Sequence, residues 1–299
     1  TMVQITVVDD GVTAPLPVLS GGVVAENAPG ALIGTLPGGA GVSYTVDDAR
    51  FEIIDRDGVP TLKLKDGVSV DHEAEASITL RITSQVSEGD TATAEVLIRV
   101  TDVNEAPAAP TVAGSSLPEN TTGAVVGRVS ALDPDDAATS AGQLTFTVDD
   151  ARFEIVSGVL KLKDGIALDH EAEPSVDLVL TVTDGGGLTA SRTVTITVTD
   201  VNEAPAQPVV SGATVTENVA GAVIGTVSGT DPDAGDTLTF TVDDARFEIV
   251  DGVLKLKDGV SLDYEAAAEL TLVITATDAG GLTASRLVTV TVTDVNEAP

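Results

Sequence analysis

The sequence predicts an all-β chain of tandem, seven-stranded Greek-key β-sandwiches arranged end to end as a rod. Three observations predict it. Near-identical blocks recur at the spacing of whole domains, apolar residues alternate with Thr inside them, and Asp-Gly and Pro punctuate them.

The repeat is the strongest of the three. DVNEAP begins at Asp102, Asp200 and Asp294, a period of 98 and then 94 residues. TVDDARFEI begins at Thr45, Thr147 and Thr241, and Glu-Asn stands at Glu26, Glu119 and Glu217. Asp-His-Glu starts at Asp71 and Asp169, and Asp-Tyr-Glu at Asp263. Glu73 to Asp102, Glu171 to Asp200 and Glu265 to Asp294 each span 29 residues. A period near one hundred residues is that of a sandwich domain, not of a short solenoid unit. The expected modules are 16–107, 108–205 and 206–299, with residues 1–15 the tail strand and linker of a preceding repeat. The chain reads as a piece of a longer protein.

Alternation supplies the strands. In the third repeat Leu270, Leu272, Ile274 and Ala276 fall on one face, and Val288, Val290 and Val292 on one face of the next strand. Asp251-Gly252 between two such runs predicts a hairpin. No helix-period stretch competes. Aromatics are 2% of the chain and Trp is absent, so the expected core is Val, Leu, Ile and Ala.

Charge narrows the function. With 47 acidic and 15 basic residues the formal charge is -32. Such a polyanion repels nucleic acid and anionic membranes and attracts cations. Cys is absent, which removes disulfides and thiolate metal sites. No apolar run is long enough to span a bilayer. An acid/base pair for glycoside hydrolysis is disfavoured because the Asp-x-Glu element comes in three copies without an aromatic sugar platform. Asp47-Asp48 with their copies read as loop residues that add solubility, His72 and His170 as solvated, and Lys63 and Lys65 as outward strand positions.

The carboxylates recur where strands end. The first junction collects Glu26, Asp71, Glu73, Asp102 and Glu105 from one repeat with Asp133, Asp135 and Asp184 from the next, plus the amide of Asn104. The second collects Glu119, Asp169, Glu171, Asp200 and Glu203 with Asp231, Asp233 and Asp278, plus Asn202. Eight like charges in one place need neutralising. Oxygen ligands without His or Cys select calcium, which accepts six to eight of them in irregular geometry. About three calcium ions would offset most of the charge at each junction.

The order Glu-Asn, Asp-x-Asp, Asp-x-Glu, a late lone Asp, and Asp-x-Asn-x-x-Pro resembles the calcium-binding pattern of cadherin repeats, over essentially the whole chain and in the style of bacterial-type arrays. The resemblance implies an outer ion on Glu26, Asp71, Glu73 and Glu105, and a middle ion on Glu26, Glu73, Asp102, Glu105 and Asp135. It implies an inner ion on Asn104, Asp133, Asp135 and Asp184, with carbonyls near Val103, Ala106 and Gly142. The second junction maps likewise, including carbonyls at Val201 and Ala204. Glu217, Asp263, Glu265, Asp294 and Glu297 would form a C-terminal half-site. The linker departs from the family, with Glu-Ala where Asp-Asn is usual, so Glu105 and Glu203 are one carbon longer.

An internal check favours shared sites. The first repeat has no Asp between Ala31 and Val46, and Val86 stands where Asp184 stands in the second. Upstream, Val12 and Thr13 replace the Asn and Glu of the linker. Both halves of that junction are lost together. The expected protein is a calcium-rigidified stalk of a secreted or cell-surface adhesin, in a biofilm for instance, and not an enzyme. Its partners are calcium ions and neighbouring repeats, and the rod is monomeric. The alternative is repeats that themselves bind copies of the chain or polysaccharide in a calcium-dependent way.

Overall fold

A computed structural model of the chain describes residues 13–87, 89–135 and 143–297. The expected tail strand within residues 1–12 and the carbonyl of Gly142 lie outside the described residues.

Every regular element among the described residues is a strand. The first repeat contains β1 (Ser20–Gly21), β2 (Val23–Ala25), β3 (Leu32–Thr35), β4 (Val42–Val46), β5 (Phe51–Arg56), β6 (Val59–Leu64), β7 (Ser77–Val86) and β8 (Thr91–Thr101). One sheet has the order β1-β3-β6-β5 and the other β2-β8-β7-β4. The same two orders recur in the second repeat, from β9 (Thr111–Val112) to β16 (Thr189–Thr199), and in the third, from β17 (Val209–Ser211) to β24 (Thr283–Thr293). Seven strands were expected per repeat and eight segments are seen, because the first strand divides between the sheets. Its first half, β1, runs antiparallel to β3; its second half, β2, runs parallel to β8, with Val24 opposite Val100. Gly22 makes the crossing at φ 106°, a conformation that other residues rarely adopt.

Alternation decides which face is buried. Along β7, Ile78, Leu80, Ile82, Ser84 and Val86 are buried while most of the intervening residues face water. The same pattern holds in β24, where Val288, Val290 and Val292 point inward. The expected Asp-Gly hairpin is present. Phe247–Val250 pairs with Val253–Leu256 and Val250 stands opposite Val253, leaving a two-residue turn with Asp251 at φ 50° and Gly252 at φ 72°. Two successive positive φ values match the twist of the flanking strands.

The core departs from expectation in one respect. Each repeat seats one aromatic at its centre, with Phe51, Phe153 and Phe247 each 2% exposed. In the first repeat Phe51 packs with Leu62, Leu64, Leu80 and Ile98. Burying one such ring contributes about 1.5–3 kcal/mol. It is the Phe of the TVDDARFEI block, and the rest of that block anchors the turn preceding it. Asp47 Oδ1 accepts from the Arg81 N–H at 2.9 Å, and Asp149 and Asp243 repeat this with Val179 and Val273. Asp48 pairs with Arg50 at 2.7 Å, and Arg50 reaches on to Glu75 at 2.8 Å. These aspartates are structural rather than merely solubilising. Lys63 is also not simply outward: it lies between Glu52 and Asp66.

The chain groups into two compact units. Of the described residues, one holds 13–87, 89–111, 130–135, 143–147 and 180–192; the other holds 112–129, 148–179 and 193–297. The carboxylates expected at the first junction all fall in the former unit, and those expected at the second all fall in the latter.

Candidate metal centre

The site is built around a buried glutamate. Glu26 follows β2 directly and is 2% exposed. Its Oε2 accepts the His72 N–H and its Oε1 the Val103 N–H, both at 2.7 Å. One carboxylate thereby joins the end of the first strand, the Asp-x-Glu loop and the linker. Glu119 does the same with His170 and Val201 at 2.7 and 2.8 Å, and Glu217 with Tyr264 and Val295 at 2.8 and 2.7 Å. Each oxygen carries a second lone pair beyond the one its N–H occupies. Asp71 Oδ1 caps its own loop through the Ala74 N–H at 2.9 Å. Val103 and Val201, expected through their carbonyls, enter these bonds through their N–H groups.

The linker then meets the following repeat. The Glu105 N–H donates to Asp135 Oδ2 at 2.9 Å, and the Glu203 N–H to Asp233 Oδ2 at 2.8 Å. Asn104 Nδ2 donates to Asp184 Oδ2 at 2.8 Å, and Asn202 Nδ2 to Asp278 Oδ2 at 2.9 Å. The Asp-x-Asp element is folded on itself, with the Asp135 N–H on Asp133 Oδ1 at 3.1 Å. Glycine follows the late Asp by two positions for a steric reason: a Cβ on Gly186 would collide with the Asn104 amide, and one on Gly280 with Asn202. Asp236 was not singled out from sequence. It accepts the Ala279 N–H at 3.3 Å beside Asp278, and its charge helps raise the pKa of Asp231. The extra Asp three residues after the Asp-x-Asp element was its signal.

Oxygens converge at these places. Glu119, Glu171, Asp200 and Asp233, drawn from two consecutive repeats, each place an oxygen within 4.8 Å of the others. Glu26, Glu73 and Glu105 form a similar group, as do Glu217, Glu265 and Asp294. Burial raises the carboxyl pKa values of Glu73, Asp102, Asp133, Asp200 and Asp231, and neighbouring carboxylates add to the rise. Asp184 moves the other way: burial pushes it up but is outweighed by the Asn104 amide and the N–H groups of Leu188, Gly187 and Gly186. Among the described residues, five buried side-chain oxygens have no hydrogen-bond donor: Asn104 Oδ1, Asp133 Oδ2, Asp135 Oδ1, Asp231 Oδ2 and Asp233 Oδ1. Orphaned buried acceptors are costly, and all five lie in the two junction clusters. The carboxylate and amide oxygens gathered here have the donor chemistry for a hard divalent cation. His72 and His170 are not freely solvated: each Nδ1 lies 2.9 or 2.7 Å from the Val100 or Val198 carbonyl, and each ring stands beside a Glu and an Asp of its cluster.

The first repeat differs as its sequence suggests. Val86 is buried in the core at the position of Asp184. Beside it the Ser84 hydroxyl donates to the Pro15 carbonyl at 2.6 Å, so a neutral hydrogen bond ties the preceding segment there.

No family model matches the chain. Solved structures do. A PcdhgB3 EC1-4 fragment aligns with a TM-score of 0.65 and 22% identity over 94% of this chain and 76% of its own. Protocadherin gamma B2 extracellular cadherin domains 1-5 align at 0.66 and 22% over 94% of this chain and 60% of that one. Mouse cadherin-23 EC22-24 aligns at 0.66 and 21% over 95% of this chain and 97% of that fragment. By fold, the chain is a tandem array of cadherin-like repeats.

Proposed function

We propose that this chain is a non-catalytic extracellular spacer in a surface or secreted adhesin, whose repeat junctions are stiffened by calcium. The modules are 16–107, 108–205 and 206–299, and about three ions sit at each junction between them. The observation that carries this reading is the meeting of Glu119, Glu171 and Asp200 of one repeat with Asp233 of the next, beside buried carboxylate oxygens that lack any donor. Bound calcium would neutralise that charge and supply the missing partners. The inner position draws on Asn104, Asp133, Asp135 and Asp184, and its copy on Asn202, Asp231, Asp233 and Asp278. The extracellular cadherin domains named among its structural neighbours support the compartment and the role. The threefold copying of the acidic elements supports a spacer over an enzyme, which needs one site and not a series.

Affinity near 10⁻⁴–10⁻³ M, about that of extracellular calcium modules, would saturate the junctions outside cells and leave them empty in cytosol. Calorimetric titration with calcium tests this on the parent chain and on a variant carrying Asp133→Ala and Asp135→Ala. The variant should lose the first junction's heat and keep the second's. Small-angle scattering should show a longer maximum dimension in calcium than in chelator. A parent chain that takes up no calcium at millimolar concentration would refute the proposal.

A further inference from the structure

We propose that Asn27, Asn120 and Asn218 are positioning residues for the metal centre: each amide holds the long linker glutamate, Glu105, Glu203 or Glu297, in the ligand cluster. The inference rests on calcium binding at the junctions and explains how this chain uses glutamate where the resembling family has aspartate.

Glu105 has a problem that a shorter side chain would not. It lies on a linker without regular structure, carries an additional rotatable bond, and must face two other carboxylates, Glu26 and Glu73. Repulsion and side-chain entropy both favour its swinging into solvent. The structure supplies a counterweight. Asn27 Nδ2 donates to Glu105 Oε1, Asn120 Nδ2 to Glu203 Oε1 at 2.7 Å, and Asn218 Nδ2 to Glu297 Oε1. The partners are 78, 83 and 79 residues apart in the chain, so the same contact survives insertions between them.

The amide is itself held. All three asparagines adopt left-handed φ, at 54°, 54° and 59°. Asparagine tolerates that region better than other non-glycine residues. Each asparagine N–H donates to a carbonyl next to the Asp-x-Glu loop, at Val70, Leu168 and Leu262. Each follows directly on the stapled glutamate. The donor therefore projects from a turn fixed on both sides. Glycine would satisfy φ but provide no amide, and aspartate would add another negative charge. Binding one oxygen of Glu105 leaves its second oxygen for the cation, and fixes the chain between them.

The test separates the amide from the turn. In the full chain, Asn27→Gly with Asn120→Gly keeps the left-handed turns and removes the donors. Calcium affinity, by calorimetry and by luminescence of terbium as a calcium surrogate, should fall about tenfold at both junctions, as for other partners that orient metal ligands. The melting temperature in chelator should not move. A cycle with Glu105→Asp supplies the second arm. If Asn27 acts through Glu105, Asn27→Gly should cost affinity in the parent and little or none beside Glu105→Asp. Unchanged affinity in the glycine variant, or additive losses in the cycle, would overturn the assignment while leaving calcium binding standing. A parent chain silent to both metals would sink the assignment together with the calcium reading.

Discussion

Asn104 and Asp184, 80 residues apart, meet through a 2.8 Å bond from the amide nitrogen of the first to a carboxylate oxygen of the second. The oxygen of the same amide is buried without a donor, and it faces Gly186 so closely that no Cβ fits there. Gly186 does not have a positive φ, so its backbone accepts alanine. Gly186→Ala should therefore fold normally and displace only the Asn104 side chain. The expected result is about a tenfold loss of calcium affinity at the first junction, with the second unaffected. Gly280→Ala should give the mirror result. Titration of both variants checks this, and equal losses at both junctions from one substitution would contradict it.

Glu26→Gln separates stapling from ligation. The carboxylate accepts two backbone N–H groups in a site 2% exposed. Glutamine replaces one acceptor oxygen with a donor and turns it toward an N–H. The cost should be about 1–3 kcal/mol, present even in chelator. Chemical denaturation in chelator measures it. A variant as stable as the parent without calcium would show that the two bonds contribute nothing on their own.

Most of the fold was legible because its signals are local. Thr alternation along Glu269–Thr277 and the Asp251-Gly252 turn each specify an element without reference to the rest of the chain. The carboxylates were legible for a different reason: copying placed them at matched offsets, and their joint absence around the first repeat tied the two halves together. What stayed hidden depends on tertiary contacts. Nothing in the letters shows that Asp47 accepts the Arg81 N–H, or that the one Phe of each block is the centre of its core. Nor does the sequence show that Asn27 reaches Glu105, since left-handed φ and a contact across 78 residues leave no local pattern.

The share of stability that calcium supplies should grow with pH. Burial raises the carboxyl pKa values of Glu73, Asp102, Asp133, Asp200 and Asp231. A group whose pKa is raised by folding binds its proton more tightly in the native state. The stability it contributes is complete below the unfolded value, about 4, and is lost as pH rises through the raised native value. Calcium requires the same groups deprotonated, so its stabilisation grows over the interval in which theirs disappears. The gap between melting temperatures in calcium and in chelator should widen steadily from about pH 4 to pH 7. A gap of constant size across that range would exclude these carboxylates as the ligands.

The third repeat lacks half of an ion pair that its siblings keep. Arg50 bridges Asp48 and Glu75, and Arg152 bridges Asp150 and Glu173. Alanine stands at 267, and the pair of Arg246 runs to Asp244. The Asp-x-Glu loop also differs: Asp263 Oδ1 accepts both the Glu265 and Ala266 N–H groups, at 3.0 and 3.3 Å, where Asp71 accepts that of Ala74. Ala267→Glu should restore the bridge. Because both partners in the sibling pairs are more than a third exposed, the gain should be modest, about 0.2–1 kcal/mol, and should shrink as salt rises. Glu75→Ala should lose a similar amount in the first repeat. Thermal melts of the two variants in low and high salt decide the matter: a gain indifferent to salt would point to packing by the longer side chain, and no gain would mean the bridge does not fasten the loop.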